Sequence, residues 1–194
     1  MKSFNIAAYI SGSGSNLRAV TDSSLSGYIS SKVRLVIANK EVSGLGHPKE
    51  LGIETAVVSR ELMTRKEFLD VQMRLLEKHG IDLIILAGFL KKLPPEIVDK
   101  YKGRILNIHP ALLPKFGGKG MHGIAVHRAV VAAGEKFSGP TVHFVDNKYD
   151  HGEILIQRKI RLNEGETPET LQKKVLDIEH IIYPEAIKLL EERE

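Results

Sequence analysis

Apolar positions along this chain fall into two alternating kinds of run. Phe4 to Ile10, Val33 to Ala38, Thr55 to Val58, Leu83 to Ala87 and Ile105 to Ile108 are short and continuous, with the length and β-branched content of strands. Leu17 to Leu25, Gly44 to Leu51, Thr64 to His79 and Pro94 to Tyr101 lie between them and read as helices. Strands buried on both faces read as unbroken hydrophobic runs, so this alternation predicts an α/β fold with a mostly parallel sheet covered by helices on both faces. Right-handed crossovers make that sheet doubly wound. Ligands of such sheets bind beyond the carboxyl ends of the strands, where Ser11, Gly88 and His109 fall.

The later pattern is less regular. It predicts a helix from about Ile124 to Ala133, a strand over Thr141 to Val145, a turn over Asp146 to Gly152, and one strand from Ile154 to about Leu162. Thr167 as N-cap and Pro168 at the first position open a long final helix, which Pro184 is expected to kink. No internal repeat, low-complexity tract or linker interrupts the 194 residues, which predicts a single domain over 1–194.

Within the fifth strand, Asn107 and His109 are polar residues in the otherwise apolar run Ile105 to Ile108. Period-two alternation points both to one face, with Leu106 and Ile108 packed on the other, and Pro110 ends the ladder. A carboxamide and an imidazolium are both donors and suit a developing oxyanion. For the imidazole to be charged, a carboxylate is needed within about 4–6 Å; Asp150 is the candidate and Asp146 its competitor. A histidine that ends a strand with its ring bonded to backbone would satisfy the same pattern.

Ser11-Gly12-Ser13-Gly14-Ser15-Asn16 separates the first strand from the first helix. Glycines there permit close backbone approach, and the helix N-terminus offers N–H donors to a phosphate. An ordinary turn capped by Ser15 or Asn16 is the alternative. Leu17 stands where a dinucleotide fingerprint needs its third glycine, Asn39-Lys40 replaces the ribose-binding acid, and no Gly-Lys-Ser/Thr forms a nucleoside-triphosphate loop.

Composition narrows the classes further. With 28 basic and 24 acidic residues the net charge of +4 is too mild to imply nucleic-acid binding, yet suits anionic small molecules. The absence of cysteine excludes disulfides, thiolate ligands and a cysteine nucleophile. Neither His-Glu-x-x-His nor a strand-to-helix Gly-x-Ser-x-Gly elbow occurs, so no metal site and no serine hydrolase is expected. No apolar run approaches the ~18 residues of a membrane span, and the opening residues lack a signal-peptide pattern, so a cytoplasmic protein without membrane partners is expected.

Taken in order, Ile10 to Leu17, Leu86-Ala87-Gly88-Phe89-Leu90, Leu106 to Pro114, Thr141-Val142-His143-Phe144-Val145, Asp150-His151-Gly152 and Glu179 to Pro184 resemble the phosphoribosylglycinamide formyltransferase family, with its Rossmann-like fold. The resemblance implies formyl transfer from 10-formyltetrahydrofolate, a co-substrate, to the amine of 5-phosphoribosyl-glycinamide in purine biosynthesis, without metal or acyl-enzyme. It implies a phosphate-binding part over about 1–100 and a catalytic, folate-binding part over about 84–194. By the same resemblance Gly14, Ser15 and Asn16 hold the phosphate, and Glu179 meets the amine. Arg65, Phe89, Leu90, Lys91, Lys92, Leu93 and Asn107 line the folate side. Asn107, protonated His109 and Asp150 carry the catalysis. The partners implied are small molecules, with the chain a monomer or homodimer.

Formyltetrahydrofolate hydrolase and methionyl-tRNA formyltransferase resemble the same stretch, but each carries an additional domain for which this chain is expected to have no room. A noncatalytic phosphoribosyl or folate sensor would keep the first loop without requiring Asn107, His109 and Asp150 together. One departure from the family is the segment Gly117-Gly118-Lys119-Gly120-Met121-His122-Gly123, longer than the usual turn. Its glycine content predicts a mobile surface loop. Lys91-Lys92 is the other departure; these side chains either attract a folate glutamate tail or are solvated surface charge.

Overall fold

A computed structural model describes residues 2–193. Strand β1 (Asn5–Ile10) is buried from Ile6 onward and lies inside the main sheet, as its unbroken apolar run requires. After it come α1 (Ser15–Leu25), β2 (Lys32–Ala38), a 3₁₀ turn at Ser43–Leu45, α2 (Gly46–Glu50) and β3 (Glu54–Val57). A second 3₁₀ turn at Arg60–Leu62, α3 (Arg65–Lys78), β4 (Leu83–Leu86), α4 (Pro95–Lys100) and β5 (Ile105–His109) complete the first half. The second half consists of α5 (Ile124–Ala132), β6 (Phe137–Ser138), β7 (Thr141–Phe144), β8 (Ile154–Gln157), β9 (Ile160–Arg161) and α6 (Pro168–Arg193).

The seven-stranded sheet has the order β3-β2-β1-β4-β5-β7-β8. Pairs from β3 through β5 are parallel, and β7 and β8 add antiparallel to the far edge. The predicted doubly wound, mostly parallel sheet is therefore present. Its winding reverses between β1 and β4, which opens a crevice at the carboxyl ends of those strands.

Alternation along each strand sorts the core into two layers. Ile6, Ala8, Ile10, Val36, Leu106 and Ile108 pack under α1 and α6 with Leu17, Val20, Ile182 and Tyr183. Ala7, Tyr9, Leu35, Ile37, Ile84 and Ile105 pack on the opposite face with Leu76 of α3 and Ile97 and Val98 of α4. Helix α3 begins with a reciprocal cap: Glu67 N–H donates to Thr64 Oγ1 at 3.3 Å while Thr64 N–H donates to Glu67 Oε2 at 2.9 Å. Thr167 caps α6 through a 3.2 Å bond from Thr170 N–H, and the helix continues through Pro184.

The predicted strand from Ile154 to Leu162 is two strands. β8 stays in the main sheet, whereas β9 pairs antiparallel with β6 in a separate two-stranded sheet. The division falls at Arg158, where Gly139 approaches so closely that a Cβ on it would lie 1.8 Å from the Arg158 carbonyl oxygen. Gly44 to Leu51, expected as one helix, is the first 3₁₀ turn followed by the short α2.

Tyr183 fixes α6 over the crevice. Its buried hydroxyl lies 3.0 Å from the Leu86 carbonyl and 3.2 Å from that of Leu106, at β4 and β5, and donates its proton between them. Replacing Tyr183 with Phe is expected to lower the unfolding free energy by about 1 kcal/mol, read from the urea midpoint, while leaving far-UV circular dichroism intact. An unchanged midpoint would show that this bond contributes nothing net.

Candidate active site

The carboxyl end of β5 carries the first part of the site. Asn107 and His109 share a face with Ile105, and the antiparallel register sets His143 of β7 directly opposite Asn107. His143 Nδ1 donates to the Phe144 carbonyl at 2.8 Å; a carbonyl only accepts, so this nitrogen carries the proton. His143 Nε2 is then an acceptor, and Asn107 Nδ2 donates to it at 3.1 Å. The same amide nitrogen makes a longer contact, 3.4 Å, to Asp150 Oδ1.

His109 is enclosed, with 3% of its surface exposed. Its Nε2 donates to the Phe116 carbonyl at 2.8 Å, and its Nδ1 stands 3.6 Å from Asp150 Oδ2. Burial is the largest influence on this ring and holds it below the ordinary imidazole range, against the opposing pull of Asp150 and the Phe116 carbonyl. Burial thus works against the imidazolium, and the proton on Nε2 is the one held by the Phe116 carbonyl. The carboxylate expected beside His109 is present, and burial opposes the charge that it favours.

Asp150 occupies the left-handed region at φ 51°, unusual for a residue other than glycine and a feature that clusters at functional sites. Its burial raises the carboxyl, yet the Gly118 N–H at 2.8 Å, together with His143 and His109 when they carry a proton toward it, more than offsets this and holds it below the usual range. Asp146 is occupied elsewhere, accepting from Lys148 N–H at 2.7 Å and from His151 Nδ1 at 2.9 Å. Asp150 is thus the carboxylate beside His109.

The Gly118 contact ties the glycine-rich segment to the site. Residues Gly118 to Gly123 line the cleft beside His109, and Lys119, Gly120, His122 and Gly123 are also exposed at the surface. Its glycines serve geometry: Gly118, Gly120 and Gly123 have φ of 101°, 87° and 55°, and a Cβ on Gly117 would lie 2.7 Å from Leu113 Cδ2.

That cleft, about 640 Å³, extends to the first loop. Gly14, at φ 73°, is the N-cap of α1; no side chain caps the helix and no acid lies in its first turn. Gly44 supports the turn from behind by donating its N–H to the Gly12 carbonyl at 3.2 Å, so close that a Cβ there would lie 2.5 Å from that oxygen. Ser13, Ser15 and Asn16 face the cleft together with Glu179 of α6. Asn16 Nδ2 donates to Glu179 Oε2 at 2.6 Å, but burial prevails and lifts this carboxyl to about 7.

A second cavity, about 300 Å³, meets the first at Phe89, Asn107, Tyr149 and Asp150. Leu86, Leu93, Val98 and Val145 make its walls apolar. Lys92 Nζ closes one side, donating to the Asn147 carbonyl at 3.2 Å and lying 4.4 Å from the centre of the Tyr149 ring. Asn107 and Asp150 thus stand in the wall between a polar cleft and an apolar one, with His109 on the polar side.

Residues 4–187 match the family model described as formyl transferase. The chain belongs to the formyltransferase family. Among its relatives, the chloroplastic phosphoribosylglycinamide formyltransferase of Arabidopsis thaliana is 42% identical across 97% of this chain and 66% of its own length. The phosphoribosylglycinamide formyltransferase of Escherichia coli K12 is 36% identical over 93% of this chain and 84% of its own. The crystal structure of glycinamide ribonucleotide transformylase 1 from Symbiobacterium toebii superposes with a TM-score of 0.90 at 35% identity, covering 98% of this chain and 88% of that one. The chain thus spans just under two thirds of the chloroplastic relative and most of the bacterial ones.

The structure of this family member brings Asn107, His109 and Asp150 into one cluster, and Ser15, Asn16 and Glu179 into the cleft beside it. Phe89, Lys91, Lys92, Leu93 and Asn107 line the apolar cavity, whereas Leu90 faces the polar cleft, its N–H donated to Ser11 Oγ at 3.0 Å. Arg65 stands apart, paired with Glu96 at 2.6 Å in a third cavity of about 490 Å³ that shares Phe89, Lys91, Lys92 and Leu93 with the second. Residue reasoning did not single out His143, Tyr149 or His127. Period-two pairing of the Thr141 strand with β5 was the available signal for His143; His127 lies inside an apolar helix pattern that gives none.

Glu179 makes the fold sensitive to pH. Its folded-state value, about 7, lies above that of an unfolded glutamate, so its contribution to stability is full below about 4.5 and is lost as pH rises through about 7. Replacing Glu179 with Gln is expected to flatten the decline in Tm between pH 5 and 8, measured by thermal melts in matched buffers. An equally steep decline in the variant would locate the titrating group elsewhere.

Proposed function

We propose that this chain transfers the formyl group of 10-formyltetrahydrofolate to the amine of 5-phosphoribosyl-glycinamide, releasing formylglycinamide ribotide and tetrahydrofolate. One observation carries the reading: Asn107 and Asp150 border both a polar cleft that opens on an uncapped helix start and an apolar cavity of the kind that accepts a flat heteroaromatic group. A direct transfer needs two substrates held so that their reacting atoms meet, and a shared wall bearing the catalytic groups supplies that meeting point. The names of the relatives support the same reaction.

On this reading the phosphate sits at the start of α1, near Gly14, Ser15 and Asn16, and Glu179 receives the glycinamide end. The pterin enters the cavity lined by Phe89, Leu93 and Asn107, while Arg65, Lys91 and Lys92 lie toward the third cavity and the anionic tail of the folate. Leu90 contributes from the polar side. Substrates are small molecules, and no step requires a metal.

The neutral amine adds to the formyl carbon, forming a C–N bond as the carbonyl π pair moves onto oxygen. Asn107 Nδ2 exchanges its 3.4 Å contact with Asp150, the longer of its two bonds, for the new oxyanion. Burial disfavours the His109 cation; negative charge developing beside it favours protonation at Nδ1, toward Asp150. The proton lost by the attacking nitrogen passes through this pair to N10 of the folate, the carbonyl reforms, and the C–N10 bond breaks.

Purified protein is expected to convert the two substrates in a chelator-treated buffer, and Asn107→Ala to lower turnover by roughly 10²–10³. No turnover by the unmodified protein at saturating concentrations of both would sink the reading. For the charge pairing, the His109 ring protons should titrate below the ordinary imidazole range by NMR, and lower still in Asp150→Asn, which removes the favourable carboxylate. An identical titration in the variant would reject the pairing.

A further inference from the structure

The polar cleft has a charge requirement that its first loop does not meet. Asp150 puts a carboxylate in its lining, Glu179 adds a carboxyl that burial holds at about 7, and a phosphate monoester adds about −1.5 to −2 at neutral pH. The turn from Ser13 to Asn16 offers N–H donors and the partial charge of a helix start, with no cationic side chain. Among the described residues lining this cleft, Lys119 is the sole lysine or arginine.

The wall that carries Lys119 has other marks of an anion site. Gly118 is fastened to Asp150 by its N–H, so the lysine rises from a point fixed to the catalytic cluster. Helix α5, nine residues long, starts at the edge of the same cleft with Gly123 as N-cap, no side-chain cap and no acid in its first turn. His127, in that first turn, lines the cleft with 2% of its surface exposed, and its Nδ1 has no hydrogen-bond partner within the protein. A buried ring nitrogen of this kind is normally paired.

We propose that Lys119, backed by the N-terminus of α5, is the cationic half of the phosphate site, facing the Ser13–Asn16 turn across the cleft and positioning the phosphorylated substrate. This rests on the reaction proposed above. Lys119 carries no chemical step; it holds the phosphate as a point charge.

Steady-state kinetics of the full chain test this with two acceptors, phosphoribosyl-glycinamide and the same riboside without its phosphate. Lys119→Ala is expected to raise KM for the phosphorylated acceptor by about 10- to 100-fold, the loss typical of a charged hydrogen bond. Both kcat and KM for the formyl donor should stay unchanged, Lys119→Arg should recover most of the loss, and the riboside should not distinguish the proteins. An unchanged KM for the phosphorylated acceptor, an equal loss with the riboside, or a loss confined to the formyl donor would each overturn the assignment. Titration with inorganic phosphate, followed by NMR, separates this contact from the reaction: weaker binding in Lys119→Ala sustains it even if the unmodified protein does not turn over, and equal binding refutes it.

Discussion

The carboxylate of Asp150 joins three segments that are remote in sequence. One oxygen takes the Gly118 N–H and faces His109; the other faces Asn107 and His143. An ionised carboxylate offers acceptors only, so every group around it must be a donor or become one on protonation. That demand explains the local backbone: a left-handed Asp150, a left-handed Phe116 whose carbonyl meets His109, and a run of glycines between them. Stability is given up in the turn to hold a constellation that ordinary strand ends would not make.

The framework was largely legible because it rests on periodicity. Continuous apolar runs marked β1, β2, β4 and β5 as strands buried on both faces, and the alternation of Leu106 and Ile108 against Asn107 and His109 placed two polar side chains on one side of β5. The Ile154 to Leu162 run misled for a definable reason. Its apolar residues lie on both sides of Arg158-Lys159, and nothing local reveals that Gly139 packs there and turns the chain into a second sheet.

The site was legible in its members and less so in its electrostatics. A carboxylate near His109 was expected to make it a cation, an inference from neighbours alone; the ring's enclosure is a tertiary property, and it opposes that charge. Glycine content told only part of the story. Residues 117–123 were expected to form a mobile surface loop because glycine is flexible in an unfolded chain; in the fold the same freedom also reaches positive φ and close approach against Leu113 and Asp150. The Thr141 strand supplies the third lesson: His143 becomes significant only when the antiparallel register puts it across from Asn107.

The bond between Asn16 and Glu179 links positions 163 residues apart. Chains leave the ribosome amino end first, so the turn at Ser13–Asn16 is synthesised well before its partner. A nascent chain can therefore pair its first strands long before this cleft has a floor. Completion of the site coincides with the docking of α6, and ligand binding becomes a report that synthesis of the fold is finished.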